Sequence, residues 1–318
     1  MGRLAELLKD SLVRHYGIIP TNVIFFDPVG GYTTGDGSEE KPTKTWTSAY
    51  SKVSADQNDC IIWIGKTNSS KSENSATVTL SKNNVHVIGF TPPVLEGKRC
   101  RFTQLSTATA VSPMVNITAS NCIIANIRFN QGVADATSLI NVQVTGERNW
   151  FKNCEFAGVG DATQSAAGAC SLKIAGGAEN LFEDCVIGLD TVGRDADATE
   201  LLFDTAATRN TFKNCIFKSY ITAAGFATVT VADGTGIDRP QIFENCIFMT
   251  DSTNQAVTQT QVFSIPAIVQ GKIVLKNCSY LTDGASGSGV WDNTGRGIIF
   301  NNTPAAAAAA AGGLMTKL

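Results

Sequence analysis

Five cysteines recur at nearly constant spacing, and thiols at a fixed period raise the question of metal or disulfide chemistry. Their separations are 31, 30, 31 and 32 residues. The chain contains no CxxC pair and only two histidines, so we do not expect a zinc site. Cysteines stacked on neighbouring repeats come close enough for disulfides, but parallel stacked side chains rarely meet the dihedral requirement. The spacing favours buried free thiols, and we predict no metal and no cofactor. The five are Cys154, Cys185, Cys215, Cys246 and Cys278.

An acidic stretch is the second candidate for chemistry. Asp195 and Asp197 lie between Asp190 and Glu200, with Arg194 beside them. Glycoside hydrolysis needs two carboxylates, about 5 Å apart in retaining enzymes and about 6.5–9.5 Å apart in inverting ones. Asp195 and Asp197 are therefore the candidate catalytic pair if the protein cleaves a polysaccharide. We favour the alternative, a solvated acidic loop without a catalytic role.

Composition excludes several other classes of function. The formal charge is −3, from 25 basic and 28 acidic residues, which gives no electrostatic reason to expect nucleic-acid binding. The sequence has no run of 18 apolar residues, so no membrane span is predicted. Residues 1–17 lack the apolar segment of a secretory signal, which predicts assembly in a cytoplasm. The sequence has neither a GxSxG motif nor a phosphate-binding GK[ST] loop.

The cysteines belong to a longer repeated phrase, which runs from Asn or Asp through cysteine to an aliphatic or aromatic residue. A period near 30 residues is typical of a solenoid, in which each repeat buries its apolar face against its neighbours. We predict three short strands and one loop per repeat, and the cysteine and aromatic positions face inward. Asn and Asp suit a bend in left-handed backbone. The bends predict a structural column made of Asn126, Asn153, Asp184, Asn214, Asn245 and Asn277.

Residues 22–65 contain a strand, a glycine- and aspartate-rich loop, a short helical stretch from Trp46 and a second strand. With the repeats, this order resembles the pectate-lyase-like parallel β-helix family, which includes many phage tailspikes and virion proteins. The resemblance implies an all-β, right-handed, single-stranded parallel β-helix over residues 21–302. It also implies an N-terminal cap and an asparagine ladder between turns. About seven turns at ~4.8 Å predict a shaft roughly 35 Å tall.

Both ends of the chain depart from the repeat. Residues 1–20 predict an amphipathic helical arm, which packs on the end of its own domain or contacts another subunit. Residues 303–318 form an Ala/Gly-rich arm, either a short helix or a linker with an apolar foot, or else a disordered end. The candidate assembly contacts are the apolar residues of the two arms, namely Leu4, Leu7, Leu8, Leu12, Leu314, Met315 and Leu318.

The repeats lack the pattern that pectate-lyase chemistry requires, which is a cluster of acidic calcium ligands with a basic proton acceptor. Their outward residues are single Lys and Glu, such as Lys152 and Glu155, and neither His15 nor His86 falls in the regular repeats. The resemblance therefore indicates the fold and not an activity.

We predict a non-enzymatic bacteriophage virion structural protein, assembled in the host cytoplasm. It would be a capsid decoration or cement protein that binds the major capsid protein or another virion protein through its arms. The resemblance to viral β-helices implies a homotrimer. The alternatives are a tailspike or fibre that binds or cleaves a host polysaccharide, and a bacterial β-helix enzyme or adhesin.

Overall fold

The computed structural model describes residues 6–92, 94–195, 197–252, 257, 259–282, 291 and 297–301, together with the backbone of 3–5 and 314–315. Three sheets run the length of the molecule, and all neighbouring strands are parallel except one pair, Ser279–Thr282 and Leu314–Met315. Sheet A has ten strands: β1 (Val23–Phe26), β2 (Cys60–Ile64), β5 (His86–Phe90), β8 (Ile123–Ala125), β11 (Trp150–Lys152), β14 (Leu181–Glu183), β17 (Thr211–Lys213), β20 (Gln241–Glu244), β23 (Ile273–Lys276) and β25 (Ile298–Asn301).

Sheets B and C complete each turn. Sheet B has nine strands: β3 (Lys71–Asn74), β6 (Arg101–Gln104), β9 (Arg128–Asn130), β12 (Glu155–Ala157), β15 (Val186–Arg194), β18 (Ile216–Ile221), β21 (Ile247–Ser252), β24 (Ser279–Thr282) and β26 (Leu314–Met315). Sheet C has seven: β4 (Val78–Leu80), β7 (Val115–Ile117), β10 (Ile140–Val144), β13 (Cys170–Ala175), β16 (Thr199–Asp204), β19 (Val229–Val231) and β22 (Phe263–Ser264).

The chain visits sheets A, B and C in that order and then starts the next turn one strand further along each sheet. Strands β2 to β22 make seven complete turns in this way. The predicted all-β parallel β-helix and its number of turns are therefore confirmed. From β9 onward, most of the longer loops connect sheet B to sheet C and therefore lie along one edge of the shaft.

Stacked aromatic rings fill the interior of the shaft. Phe182 lies between Phe151 and Phe212, with ring centroids 4.6 and 4.7 Å away and the planes nearly parallel. Each ring comes from the same position of successive sheet A strands, so the in-register pairing itself produces the stack. Such offset aromatic contacts add to the free energy gained by burying the rings.

Tryptophans close the two ends of this core. Trp46 begins helix α2 (Trp46–Ser51) and packs against Trp63 and Phe102 at the N-terminal end. Trp291 packs against Phe248 at the other end. All three tryptophans are buried, so they serve the caps and offer no exposed platform for a sugar.

Helix α1 (Arg3–Tyr16) does not sit on an end of the shaft, as one of the two sequence-based alternatives proposed. It ends at Gly17, whose φ is +68°, and lies across the outer face of sheet A. Leu12 is buried there in one cluster with Phe25, Ile62 and Ile88. The helix lies there because the outer face of sheet A carries a row of apolar side chains, and packing a second apolar surface on that row removes both from water.

The row beneath α1 changes character where the helix stops. In register, it runs through apolar residues and then continues as an alternating series of charges. Lys152 contacts Glu183 at 3.1 Å, and Lys213 contacts the same carboxylate at 3.3 Å. The strands are thus apolar where the helix covers them and charged where they meet water. The full row is Phe25, Ile62, Ile88, Ala125, Lys152, Glu183, Lys213, Glu244 and Lys276.

Candidate functional site

The predicted column of bends forms a hydrogen-bonded ladder at the corner between sheets A and B. All six residues have positive φ, from 49° at Asn153 to 58° at Asn126. The Asn153 amide donates to Asn126 Oδ1 at 2.8 Å, and the Asn277 amide donates to Asn245 Oδ1 at 3.3 Å. The ladder therefore fixes the corner of every regular turn, and its side-chain amides serve this structural role.

A second ladder lies inside the shaft and was missed by the sequence analysis. The Asn180 amide donates to Asn210 Oδ1 at 3.0 Å, and the Asn210 amide donates to Gln241 Oε1 at 3.0 Å. Asn149 continues the column by accepting the backbone N–H of Cys122. The signal was available, because each of these residues stands four positions before a bend residue. Buried amides of this kind satisfy backbone groups that would otherwise be unpaired.

The five repeated cysteines are free and buried. Each thiol lies within hydrogen-bonding distance of a backbone carbonyl on the preceding turn, as Cys215 Sγ does at 3.3 Å from the oxygen of Phe182. Burial raises the pKa of Cys154, Cys185, Cys215 and Cys246 well above that of an ordinary thiol. These thiols are neutral packing groups and neither nucleophiles nor ligands.

Asp195 and Asp197 lie in the loop between β15 and β16. Asp195 Oδ1 accepts the backbone N–H of Asp197 at 3.1 Å, and the N–H of Asp195 donates to Ser165 Oγ at 2.9 Å. Asp197 is exposed, and Asp195 is partly buried. Asp195 thus makes a turn in its own loop, a common use of aspartate. The proposed catalytic role of this pair stays a prediction.

Glu200 and Arg194, which flank that loop, form a fully buried ion pair. Arg194 Nε donates to Glu200 Oε1 at 2.8 Å, and both side chains are 0% exposed. Ser171 Oγ donates to the other carboxylate oxygen at 2.6 Å. Arg194 also donates to the carbonyl oxygens of Val159 and Gly158. The pair therefore joins loops of two turns to sheet C, and substrate cannot reach it.

His86 lies in β5, in the turn before the first ladder residue, Asn126. Its Nδ1 accepts the backbone N–H of Ile123 at 3.0 Å. Burial lowers the pKa of His86 to about 4, which keeps the ring neutral near pH 7. His86 lines a cleft of about 310 Å³ with Tyr16, Arg148 and Trp150, and this cleft contains no carboxylate.

A cleft of about 530 Å³ lies between α2 and residues 73–79. Its charged groups are Glu73, which pairs with Lys71 at 2.8 Å, and Lys82. The Lys82 ammonium donates to the carbonyl oxygens of Tyr50 and Val53. The cleft thus has one carboxylate, which is paired with a lysine, and its described lining has no second carboxylate to act with it in acid–base catalysis.

In the turn that contains β5 and β6, a long loop takes the place of the two-residue bend that joins sheets A and B in later turns. We call this loop the strap; its described residues are 91–92 and 94–100. The strap crosses the outer face of sheet B, where the Gly97 N–H donates to Glu155 Oε2 at 2.8 Å. Glu96 reaches Lys218, 122 residues away in sequence, with both carboxylate oxygens 3.0 Å from the ammonium.

The strap buries charged residues that the sequence placed in solvent. Glu155 points outward as predicted, yet it is only 2% exposed. Lys98 is fully buried and donates to the carbonyl oxygen of Leu95. Burial lowers the pKa of Lys98. Lys218 is held between Glu96 and Asp190, at 3.0 and 2.7 Å. The strap is therefore fixed by charge pairs across several turns.

Arginines collect where the strap leaves sheet A and joins sheet B. Arg101 and Arg128 are in register on the outer face of sheet B. Arg128 Nε lies 3.3 Å from Glu155. Arg101 donates to the carbonyl oxygen of Asn68 at 2.7 Å, and Arg99 donates to that of Lys66 at 3.4 Å. Within the described part of the chain, neither Arg99 nor Arg101 has a carboxylate within 4.0 Å.

Leu8 and Leu12 contact the chain's own sheet A, whereas Leu7 is 59% exposed. In the C-terminal arm, the backbone of Leu314 and Met315 pairs antiparallel with β24. The side chains of Leu4, Leu314 and Met315, all of Leu318 and the alanine run at 305–311 lie outside the described residues. Whether any of these residues contacts a partner stays a prediction.

Among the described residues, no group of three or more His, Cys, Asp and Glu side chains is arranged to hold a metal ion. In the same part of the chain, neither helix has the length and apolarity that crossing a bilayer requires.

No protein-family model matches the sequence, and no curated protein matches it either. Solved structures do resemble the shaft. Pectate lyase Pel9A has a TM-score of 0.55 at 14% identity, over 82% of this chain and 64% of that one. The pectin methylesterase of Aspergillus niger has a TM-score of 0.52 at 14% identity, over 89% of this chain and 85% of that one. A third protein, ORF18 of Geobacillus virus E2, has 14% identity over 95% of this chain and 63% of that one, and its TM-score of 0.42 carries no argument.

The chain spans less than two thirds of the length of pectate lyase Pel9A. At 14% identity, these likenesses concern the fold alone. The fold is a parallel β-helix of the pectate-lyase-like kind.

Proposed function

We propose that the chain is a non-enzymatic structural protein of a bacteriophage virion, and specifically a capsid decoration or cement protein. Its shaft would project from the shell as a homotrimer, with the major capsid protein or another virion protein as partner. The virion would be its location after assembly in the host cytoplasm.

The pairing of its carboxylates is the observation that carries the non-enzymatic part of this proposal. Two-carboxylate hydrolysis requires one free acid and one free base or nucleophile near each other. On the strands, carboxylates instead meet cations, as Asp204 meets Lys173 at 2.7 Å and Glu244 meets Lys276 at 3.8 Å. Glu155, Glu183 and Glu200 are paired in the same way. These charges are used for the stability and solubility of the shaft.

The thiol column supports the choice of compartment. Nine buried cysteines are free, including five on successive turns. Secreted proteins form disulfides in oxidising surroundings, whereas cytoplasmic thiols stay reduced. A core made of reduced thiols suits a protein that folds in a host cytoplasm and is then built into a particle.

The second candidate function is a tailspike or fibre that binds or cleaves a host polysaccharide. Two observations favour it. The solved structures that share the fold include a pectate lyase and pectin methylesterases, and the variable loops, with Asp195 and Asp197, collect on one edge of the shaft.

Quantitative mass spectrometry of purified phage particles tests the proposal. A decoration protein is present in a copy number set by the symmetry of the shell, and a tail protein in few copies. The companion assay incubates the purified chain with polygalacturonate and pectin. Tail-like copy number, or depolymerisation that Asp195→Asn or Asp197→Asn abolishes, would sink the decoration role.

Attachment through the arms is tested with truncated and substituted chains. Deleting residues 303–318, or changing the exposed Leu7 to Glu, should release the protein from particles while leaving a folded trimer. Deleting residues 1–17 is a poorer test, because it would uncover the face that Leu12 protects. Normal attachment of both altered chains would contradict the role of the arms.

A further inference from the structure

An exposed aromatic residue marks the point where the strap leaves sheet A. Phe90 is the last residue of β5 and is 59% exposed. Its carbonyl oxygen accepts the N–H of Gly65 at 3.0 Å. A Cβ built on Gly65 would lie 3.0 Å from the Cβ of Thr91 and 3.3 Å from that of Arg99. The two ends of the strap therefore meet at Gly65, where Arg99 lies close to Thr91, the residue that follows Phe90.

The guanidinium groups at this place are held in position but not neutralised. Backbone carbonyls fix Arg99 and Arg101 with one hydrogen bond each. A guanidinium has five N–H donors, so most of the donors of these two side chains remain available for a carboxylate. Among the described arginines, Arg14 on α1 also has no carboxylate within 4.0 Å, whereas the others do have carboxylate partners, namely Arg128, Arg148, Arg194, Arg209 and Arg239.

Lys71 extends the same row, since Lys71, Arg101 and Arg128 are in register on three successive strands. Three cations thus recur at the spacing of the turns on a protein whose net charge is −3. Glu73 already pairs with Lys71 at 2.8 Å, and Glu155 lies 3.3 Å from Arg128, so Arg101 is the cation of this row that would gain from an external anion.

We infer that Phe90, Arg99, Arg101 and Arg128, which we call the arginine corner, form a docking surface for an acidic protein partner. Arg and aromatic residues are enriched at the centres of protein interfaces, and an exposed aromatic ring supplies the apolar anchor. The shaft itself contains an example of such a contact, because the Glu155 carboxylate lies 3.3 Å from the guanidinium of Arg128 in the same row.

This inference rests on the proposed function in one respect, which is that it takes the partner to be a surface of the virion. The partner surface would present Asp or Glu side chains at the spacing of neighbouring turns and an apolar pocket for Phe90. Arginine forks bind carboxylates in a bidentate manner, which gives such a contact its direction as well as its strength.

The test measures rebinding of the purified full-length chain to phage particles prepared without it. The variant Arg99→Glu/Arg101→Glu reverses two charges of the corner, and Arg239→Glu is the matched control because its exposed guanidinium already pairs with Asp238. We expect the double variant to bind at least about tenfold more weakly than wild type and Arg239→Glu to bind normally. Binding of the wild type should also weaken as salt is raised, and less so for the double variant. Denaturant titrations verify that both variants are folded, because their unfolding midpoints should equal that of the wild type.

The outcomes separate the inference from the virion role. If the wild-type chain fails to rebind, the proposed function fails and this partner fails with it. If wild type rebinds and the double variant rebinds equally well, the virion role stands and the arginine corner is overturned. If the double variant loses binding to an acidic polysaccharide such as polygalacturonate while it rebinds particles normally, the corner is a glycan site and the inference is wrong.

Discussion

Asn214 donates its side-chain amide to the carboxylate of Asp184, 3.1 Å away on the preceding turn. Asp184 is the one bend residue of the ladder whose side chain has no N–H, so it cannot donate to Asn153 on the turn before. Its other carboxylate oxygen pairs with Lys152, whose ammonium is 2.5 Å away. An ion pair thus forms at the one corner where the column of side-chain amides is interrupted.

The ion pair of Asp184 and Lys152 predicts that the stability of the fold depends on pH. Burial opposes ionisation of Asp184, but the hydrogen bonds from Lys152 and Asn214 outweigh it and lower its pKa in the folded protein. A lowered pKa stabilises the fold above the pKa of the unfolded chain, and this contribution is lost as pH falls through the folded value. Asp184→Asn should therefore change the free energy of unfolding by no more than about 1 kcal/mol at pH 7. Between pH 5 and pH 3 the wild type should lose more stability than the variant, as urea titrations at several pH values would reveal. Parallel curves would contradict the assignment.

The aromatic stack predicts a large loss of stability from a single truncation. Phe182→Ala removes a fully buried ring between Phe151 and Phe212, and such changes cost about 3–5 kcal/mol. Thr211→Ala, on the outer face of the same sheet, is the matched control, and we expect a change within about 0.5 kcal/mol. Chemical denaturation followed by circular dichroism measures both. A small effect of Phe182→Ala would mean that the shaft collapses around the cavity.

The thiol column predicts an order of chemical modification. Cys278 is the last thiol of the column and is 3% exposed. The hydrogen bond with Cys246 lowers the pKa of Cys278, whereas burial raises the pKa of Cys185 and Cys215. At pH 8 an alkylating reagent should modify Cys278 first and reach Cys185 and Cys215 only on unfolding. Peptide mass spectrometry over a time course gives the order, and equal rates for these three cysteines would refute it.

The regular part of the fold follows from local sequence, and for that reason it was predictable. Asn153, Asn214 and the other bend residues recur with the period of one turn, and each occupies left-handed backbone. The strap was not predictable, because its contacts join distant parts of the chain: Gly97 to Glu155 across 58 residues and Glu96 to Lys218 across 122. No periodicity marks such contacts, and they depend on how far one loop happens to reach along the finished shaft.

The place of α1 was only half predictable. The apolar stripe of the helix predicted that it packs on another surface. That surface is a row of residues on the outer face of sheet A, each one turn from the next, and the sequence did not reveal this row. Ile62 belongs to a continuous apolar strand in the sequence, and the two faces of such a strand cannot be told apart by alternation. The change from Ala125 to Lys152 in the same row marks the edge of the helix and becomes visible once the register is known.

Docking of α1 predicts different effects for two leucines of one helix. Leu12→Asp places a charge in the cluster with Phe25 and Ile62 and should release the helix. Leu7→Asp alters a side chain that is 59% exposed and should leave the helix in place. Limited proteolysis in the segment that follows Tyr16 distinguishes them: rapid cleavage is expected for Leu12→Asp only. Equal cleavage of both variants would contradict the packing of α1 on sheet A.

The buried pair of Arg194 and Glu200 predicts strongly non-additive mutations. Removing one partner leaves the other charge buried without compensation, so Arg194→Met and Glu200→Leu should each cost about 3–5 kcal/mol. The double variant leaves two apolar side chains and should cost less than either single change, because no charge then remains to be desolvated. Urea unfolding of the four proteins completes the cycle. Additive losses would show that the two residues act separately, through the carbonyl oxygens of Val159 and Gly158 on one side and Ser171 on the other.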